Sequence, residues 1–149
     1  MKKLISIIML VGFLASCAGV PVTDDVNNQA IAYAAGKGIG IAINKYAPKA
    51  DAKLSEAWVN MMTTNAGKDP VPAAAIMSFY QESILLLSSQ VKDPYGLISD
   101  LTFFLTLYGG KVVDGQLTLA KDVPLVVMKA FELGYKSGKS AVQSYGGSV

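Results

Sequence analysis

Two stripes of small residues, one near each end of the chain, most restrict what this sequence can fold into. Positions four apart share one face of an α-helix, because successive residues turn by about 100°. The stripes are Ala32, Gly36 and Gly40 near the start and Ala130, Gly134 and Gly138 near the end. Each interior glycine costs a helix about 1 kcal/mol relative to alanine. We therefore predict two helices whose glycines are compensated by close approach of another backbone.

The sequence leaves open what covers these stripes. The two helices pack on each other and close a bundle, or a stripe stays exposed for self-association or for a partner helix. The paired stripes resemble the glycine-rich helices of glycine-zipper outer-membrane lipoproteins, over residues 32–40 and 130–138. That resemblance implies the same mode of helix packing.

The glycines near Lys37 do not form a phosphate-binding loop. Gly36, Gly38 and Gly40 are one residue short of the dinucleotide spacing Gly-x-Gly-x-x-Gly, and no strand precedes them. The P-loop pattern, which ends in Gly-Lys-Ser/Thr, is absent from this stretch. The helical interpretation accounts for the glycines better.

Apolar periodicity and turn signals predict an all-α domain, a compact bundle of about five helices. The predicted helices span about residues 25–47, 51–66, 71–91, 95–108 and 123–145. Three of them follow an aspartate near a proline, at Asp69, Asp93 and Asp122, since such a carboxylate can cap the amides of the first turn. The pair Asp114-Gly115 indicates a small β-hairpin near residues 110–119. Residues 101–108 would also suit a strand.

The first 16 residues have the pattern of a secretory signal, with Lys2 and Lys3 before a short apolar run. The signal ends in Leu14-Ala15-Ser16-Cys17, which resembles the lipobox of bacterial lipoproteins. The resemblance implies cleavage before Cys17 and acyl chains on it. It also indicates the outer membrane, because Ala18 stands where an aspartate would favour retention in the inner membrane. Residues 17–23 would then be a lipidated tether and residues 24–149 a single helical domain.

Several residue types are missing, which argues against common kinds of site. The chain has no histidine and no arginine, and Cys17 is its only cysteine. The usual metal and haem sites, histidine general bases and arginine clamps for phosphate are therefore not expected. Without residues 1–16 the lysines and the acidic residues balance, so nucleic acid is not an expected partner. We expect no metal and no cofactor.

No pattern of catalytic residues stands out. Ser137 and Lys139 are two apart and fall on different helix faces, and Gly-x-Ser-x-Gly is absent. Carboxylate pairs that could serve a hydrolase would come from a small acidic set: Glu56, Glu82, Asp100 and Glu132. The aromatic residues are expected mostly in the core: Tyr33, Tyr46, Trp58, Phe79, Tyr80, Phe103, Phe104, Phe131 and Tyr135.

These observations favour a non-catalytic envelope protein that acts through protein contacts. Assembly, accessory, inhibitor and immunity roles all fit, and its partner would be an envelope protein or a second copy of the chain. One alternative is a binder of small apolar or lipid ligands in the helical core, and a weaker one is a carboxylate-dependent hydrolase. A deep polar cleft would favour the hydrolase. An enclosed apolar cavity of several hundred Å³ would favour the ligand binder. An exposed apolar patch on a filled core would favour the partner-binding protein.

Overall fold

The computed structural model describes residues 24–145, with side chains from residue 25 to residue 142. This part of the chain is mostly helical, as predicted, and carries one small antiparallel hairpin. Its helices are α1 (Asp24–Tyr46), α2 (Asp51–Thr64), α3 (Ala73–Ser88), α4 (Pro94–Leu97), α5 (Ser99–Leu105) and α6 (Leu125–Tyr145). A 3₁₀ turn over Thr106–Tyr108 extends α5. The predicted signal peptide, the tether, Cys17 and residues 146–149 lie outside the described residues.

Helices α1 and α6 contact each other through the two glycine stripes. A methyl group added to Gly134 would overlap the carbonyl group of Tyr33 and lie 3.0 Å from the amide nitrogen of Lys37. At Gly138, an added methyl would overlap the carbonyl of Lys37 and lie 3.0 Å from the amide nitrogen of Ile41. The surface of α6 therefore touches the backbone of α1 directly.

The contact is reciprocal, because the glycines of α1 face the backbone of α6 in the same way. A methyl on Gly36 would lie 3.0 Å from the carbonyl carbon of Phe131 and 3.0 Å from the amide nitrogen of Tyr135. A methyl on Gly40 would lie 3.1 Å from the carbonyl carbon of Tyr135 and 3.2 Å from the amide nitrogen of Lys139. The stripes thus cover each other within one chain, which was the first of the two alternatives.

Two loops exchange the aspartates that cap their helices. The Asp69 carboxylate accepts a hydrogen bond from the backbone N–H of Leu125, at 3.0 Å, and so caps α6. The Asp122 carboxylate accepts one from the backbone N–H of Ala73, at 2.8 Å, and so caps α3. Two backbone hydrogen bonds between Val71 and Val123 hold the loops together. The prediction that each aspartate caps the helix following it is wrong at these two sites, because the loops pair with each other.

The fourth predicted helix, expected as a single helix over residues 95–108, is observed as two short helices. Asp93 caps the short α4 by accepting a hydrogen bond from the N–H of Gly96, at 2.8 Å. Ile98 then leaves helical geometry, with φ −109° and ψ 21°, and is buried. Helix α5 restarts after it, and the segment ends at Gly109, whose φ is 73°. The strand alternative for residues 101–108 is wrong.

The hairpin lies where the sequence predicted it, with β1 at Lys111–Val113 and β2 at Gln116–Thr118. Asp114 and Gly115 form its two-residue turn, and both have positive φ, 51° and 76°. This is the backbone that Asp-Gly favours in tight hairpins. Leu117 faces inward and is buried, which attaches the hairpin to the bundle.

A cluster of aromatic rings fills the centre of the bundle. Trp58 stacks on Phe131 with ring centroids 5.2 Å apart and meets the edge of Phe79 at 5.3 Å. Phe104 also stacks on Phe131, at 5.8 Å. Rings in such offset and edge-on arrangements stabilise a core beyond the area that they bury.

Candidate functional site

An open groove of about 500 Å³ lies on the surface of the bundle, and we call it the aromatic groove. It lies between α4, α5 and the hairpin, above α3. Its lining residues are Tyr80, Tyr95, Ser99, Thr102, Phe103, Thr106, Val112, Asp114 and Gly115.

Three neighbouring elements position the walls of the groove. The Asp93 cap starts α4 and places Tyr95 in its first turn. The turn of the hairpin is tied to α3, because the side-chain amide of Gln81 donates a hydrogen bond to the carbonyl of Gly115, at 3.1 Å. Gly115 also lies against the phenol of Tyr95, so a methyl group added there would meet the Tyr95 hydroxyl. The groove is therefore built by fixed elements of the fold.

Large apolar side chains on the groove wall remain in contact with solvent. Phe103 is 68% exposed and Tyr95 is 43% exposed, while Tyr80 beneath them is buried. Burying a phenylalanine side chain gains about 1.5–3 kcal/mol, so leaving one on the surface forgoes that gain. Exposed apolar side chains clustered in a concavity are typical of contact sites.

The lining of the groove also contains hydrogen-bonding groups and one negative charge. Hydroxyl groups come from Ser99, Thr102 and Thr106, and among the residues of the lining only Asp114 is charged. Burial raises the pKa of the Tyr80 phenol above its usual value, so that hydroxyl stays protonated at neutral pH. The groove thus suits a ligand that combines apolar surface with a positive charge.

A second concavity, of about 160 Å³, lies between α2 and α6, and we call it the Trp58 slot. Most of its lining is apolar, and its rim is polar. Its lining residues are Ile39, Ile43, Leu54, Ser55, Trp58, Val59, Phe79, Ser83, Ile98, Leu101, Phe131, Glu132, Tyr135, Lys136 and Lys139. The slot and the groove share no lining residue.

Polar side chains bridge α2 and α6 along the rim of the slot. The indole N–H of Trp58 donates to the Glu132 carboxylate, at 3.2 Å. The hydroxyl of Tyr135 donates to the Asp51 carboxylate, at 2.6 Å, and Lys139 forms an ion pair with the same carboxylate. Burial raises the pKa of Tyr135, and the neighbouring carboxylate raises it further. Tyr135 therefore acts as a neutral hydrogen-bond donor.

Glu132 has a lowered pKa although it is half-buried. Burial alone would raise the pKa of its carboxyl, but hydrogen bonds from Lys136 and Trp58 and the charge of Lys136 outweigh that effect. The carboxylate is thus held ionised by its partners. The hydrogen bond from Trp58 joins α2 to α6 through this carboxylate, which gives Glu132 a structural role at the rim.

The six residues of the predicted stripes lie on α1 and α6, and none of them lines the groove or the slot. The four glycines meet at the helix contact. Ala32 is fully buried, and Ala130 is half-buried against the core. The stripes therefore build the scaffold of the described domain.

The acidic residues considered for hydrolysis are spread over different elements. Glu56 on α2, Glu82 on α3 and Asp100 on α5 are exposed, and Glu132 is at the rim of the slot. None of the four lines the aromatic groove. On α6, the hydroxyl of Ser137 accepts a hydrogen bond from Tyr33.

The aromatic residues lie mostly in the core, as expected, with three exceptions. Phe103, Tyr46 and Tyr33 are exposed, at 68%, 59% and 39%. The groove was therefore not predicted from the sequence. Helical spacing contained the signal, because Leu101, Phe104 and Tyr108 form the inward stripe and Phe103 falls outside it.

Within residues 24–145, no helix combines the length and the apolar character needed to cross a bilayer. No group of three or more acidic, histidine or cysteine side chains that could hold a metal ion occurs in that same range. Comparison with protein families, with curated proteins and with solved structures finds no significant match to the chain.

Proposed function

We propose that the chain is a lipoprotein of a bacterial envelope, anchored through lipid on Cys17, that acts without catalysis by binding another envelope protein. The binding surface in this proposal is the aromatic groove. The observation that carries it is the pair of exposed rings, Phe103 and Tyr95, in an open concavity of about 500 Å³. The lipobox-like end of the signal, Leu14-Ala15-Ser16-Cys17, supports the anchor, and Ala18 after it supports the outer membrane as the location.

The packing of the bundle favours this function over the binding of a lipid or another large apolar ligand in the core. Stacked rings occupy the core, and the slot, at about 160 Å³, is too small for a whole lipid. Ligand pockets for larger molecules usually enclose about 300–1,000 Å³. An exposed apolar surface on a filled core is the arrangement expected of a partner-binding protein.

The chemistry of the groove defines the partner segment that it would bind. Phe103 and Tyr95 offer rings to an apolar side chain, and the hydroxyls of Thr102 and Thr106 can bond to a backbone. Asp114 would attract a lysine or an arginine of the partner. We therefore expect a segment with an apolar anchor and a neighbouring positive charge.

Site-specific photo-crosslinking in intact cells tests this function. A benzophenone amino acid replaces Phe103 in the full chain, and a matched control carries it at Leu85 on α3, which is 74% exposed and lies outside the groove. The proposal predicts a discrete light-dependent adduct from position 103 that is absent from position 85. Absence of an adduct at position 103, or the same adduct from both positions, would contradict it.

A charge reversal refines the test. Asp114→Lys, in the chain that carries the probe at position 103, replaces the negative charge of the groove lining by a positive one. We expect it to reduce the adduct at least severalfold, because like charges would then face each other. Glu82→Lys makes the same charge change on α3 outside the groove and should leave the adduct unchanged.

A further inference from the structure

The Trp58 slot has the size and lining of a site for a small apolar molecule. Its volume of about 160 Å³ is close to that of an engineered apolar cavity in another protein, about 150 Å³, which stays dry and binds benzene. The rings of Trp58, Phe79 and Phe131 line it, together with aliphatic side chains from α1 and α5. Aromatic rings associate favourably in offset and edge-on arrangements, so this wall suits a planar ring.

The slot can be entered from solvent between α2 and α6. Two of its lining residues, Val59 on α2 and Lys136 on α6, are exposed, at 56% and 68%. Trp58 lies deeper, at 7% exposure, and forms part of the wall. A small molecule would therefore reach the rings without unfolding of the bundle.

The charges at the rim of the slot balance one another, so the rim does not favour a charged ligand. Asp51 and Glu132 supply two negative charges, and Lys136 and Lys139 supply two positive ones. Each lysine is already paired with a carboxylate across or along the rim. A charged ring would have to break one of these pairs, whereas an uncharged ring would leave them intact.

We infer that the Trp58 slot binds a single uncharged aromatic ring of about the size of benzene. This site is independent of the proposed partner surface, because the slot and the groove share no lining residue. The ring packs against Trp58 and Phe131, and its substituents extend past Val59 toward solvent. Molecules much larger than one ring exceed the volume of the slot.

Trp58 provides the readout, because it is the only tryptophan of the chain. The full chain in lipid nanodiscs is titrated with bromobenzene, whose heavy atom quenches tryptophan emission on contact. We expect saturable quenching. The charged analogue 4-bromobenzoate should give only the linear quenching of random collisions.

Two serines on α3 that make the same kind of hydrogen bond, Ser83 buried and Ser88 exposed, provide a test variant and a control variant. Each hydroxyl donates a hydrogen bond to the carbonyl four residues earlier, at 2.8 Å from Ser83 and 2.7 Å from Ser88. Ser83 lines the slot, and Ser88 does not. Ser83→Leu should fill the slot and weaken bromobenzene binding at least tenfold, whereas Ser88→Leu should leave it unchanged.

Val59→Phe provides a second test that does not change the core, because Val59 is exposed at the mouth. We expect this variant to obstruct the slot and also to weaken binding. Linear quenching in the unmodified chain would overturn the inference. Saturable quenching that survives both Ser83→Leu and Val59→Phe would overturn it as well.

Discussion

Gly134→Ala is the substitution that most sharply tests the contact between α1 and α6. The added methyl would overlap the carbonyl of Tyr33 and approach the amide nitrogen of Lys37 to 3.0 Å. Both neighbours are backbone atoms, so no change of side-chain rotamer can make room. The two helices would have to separate along the whole stripe.

The change in the free energy of unfolding caused by Gly134→Ala is the sum of two opposing effects. Alanine gains about 1 kcal/mol over glycine in a helix interior. Overpacking a well-packed contact costs about 1–3 kcal/mol, and a backbone neighbour places this site at the upper end. We therefore expect Gly134→Ala to lower the free energy of unfolding by about 2 kcal/mol net.

Gly38→Ala is the matched control on α1. Its added methyl would meet only the carboxylate end of Asp100, an exposed side chain that can rotate away. The helix propensity of alanine should then dominate and raise stability by up to about 1 kcal/mol. The assay is urea unfolding of both full-length variants, followed by far-ultraviolet circular dichroism. The reasoning is refuted if Gly134→Ala is as stable as the unmodified chain, or if Gly38→Ala loses as much.

Three further changes address the anchor, a cap and the rim of the slot. Cys17→Ser should abolish incorporation of labelled palmitate and release the chain from the membrane fraction; continued labelling would exclude the proposed anchor. Asp122→Ala should destabilise the fold by about 1 kcal/mol through loss of the cap on Ala73, measured by urea unfolding, and an unchanged midpoint would show that the cap contributes little. Glu132 has a folded pKa below its usual 4.5, so its stabilising effect should be present above pH 4.5 and lost as the pH falls through the folded value. The stability difference between the unmodified chain and Glu132→Gln should thus shrink in acid, and a difference that grows there would contradict the pKa direction.

Local patterns in the sequence predicted the scaffold well, because the relevant physics is local. The spacing of Gly36 and Gly134 within their helices indicated close backbone contact, and Asp114-Gly115 indicated the hairpin turn. The bounds of α1 and α6 fall within two residues of those expected. Periodicity and turn chemistry are short-range properties that a single sequence displays.

Contacts between segments that are distant in the chain could not be predicted from those local patterns. The exchange of caps between Asp69 and Asp122 depends on two loops that are far apart in the chain. The groove likewise needs Tyr95, Phe103 and the hairpin turn to meet in space. Such tertiary contacts depend on the packing of the whole bundle, and the spacing of residues along one helix does not determine them.

Hydrogen exchange of the full chain in native membranes, compared with the purified chain in nanodiscs, tests the proposed function most directly. If the aromatic groove binds an envelope partner, amides of residues 94–106 and 114–116 should exchange more slowly in native membranes. Those of α2, on the far side of the slot, should be unchanged. Equal exchange in the groove segments, or slowing confined to α2, would contradict the assignment of the groove as the binding surface.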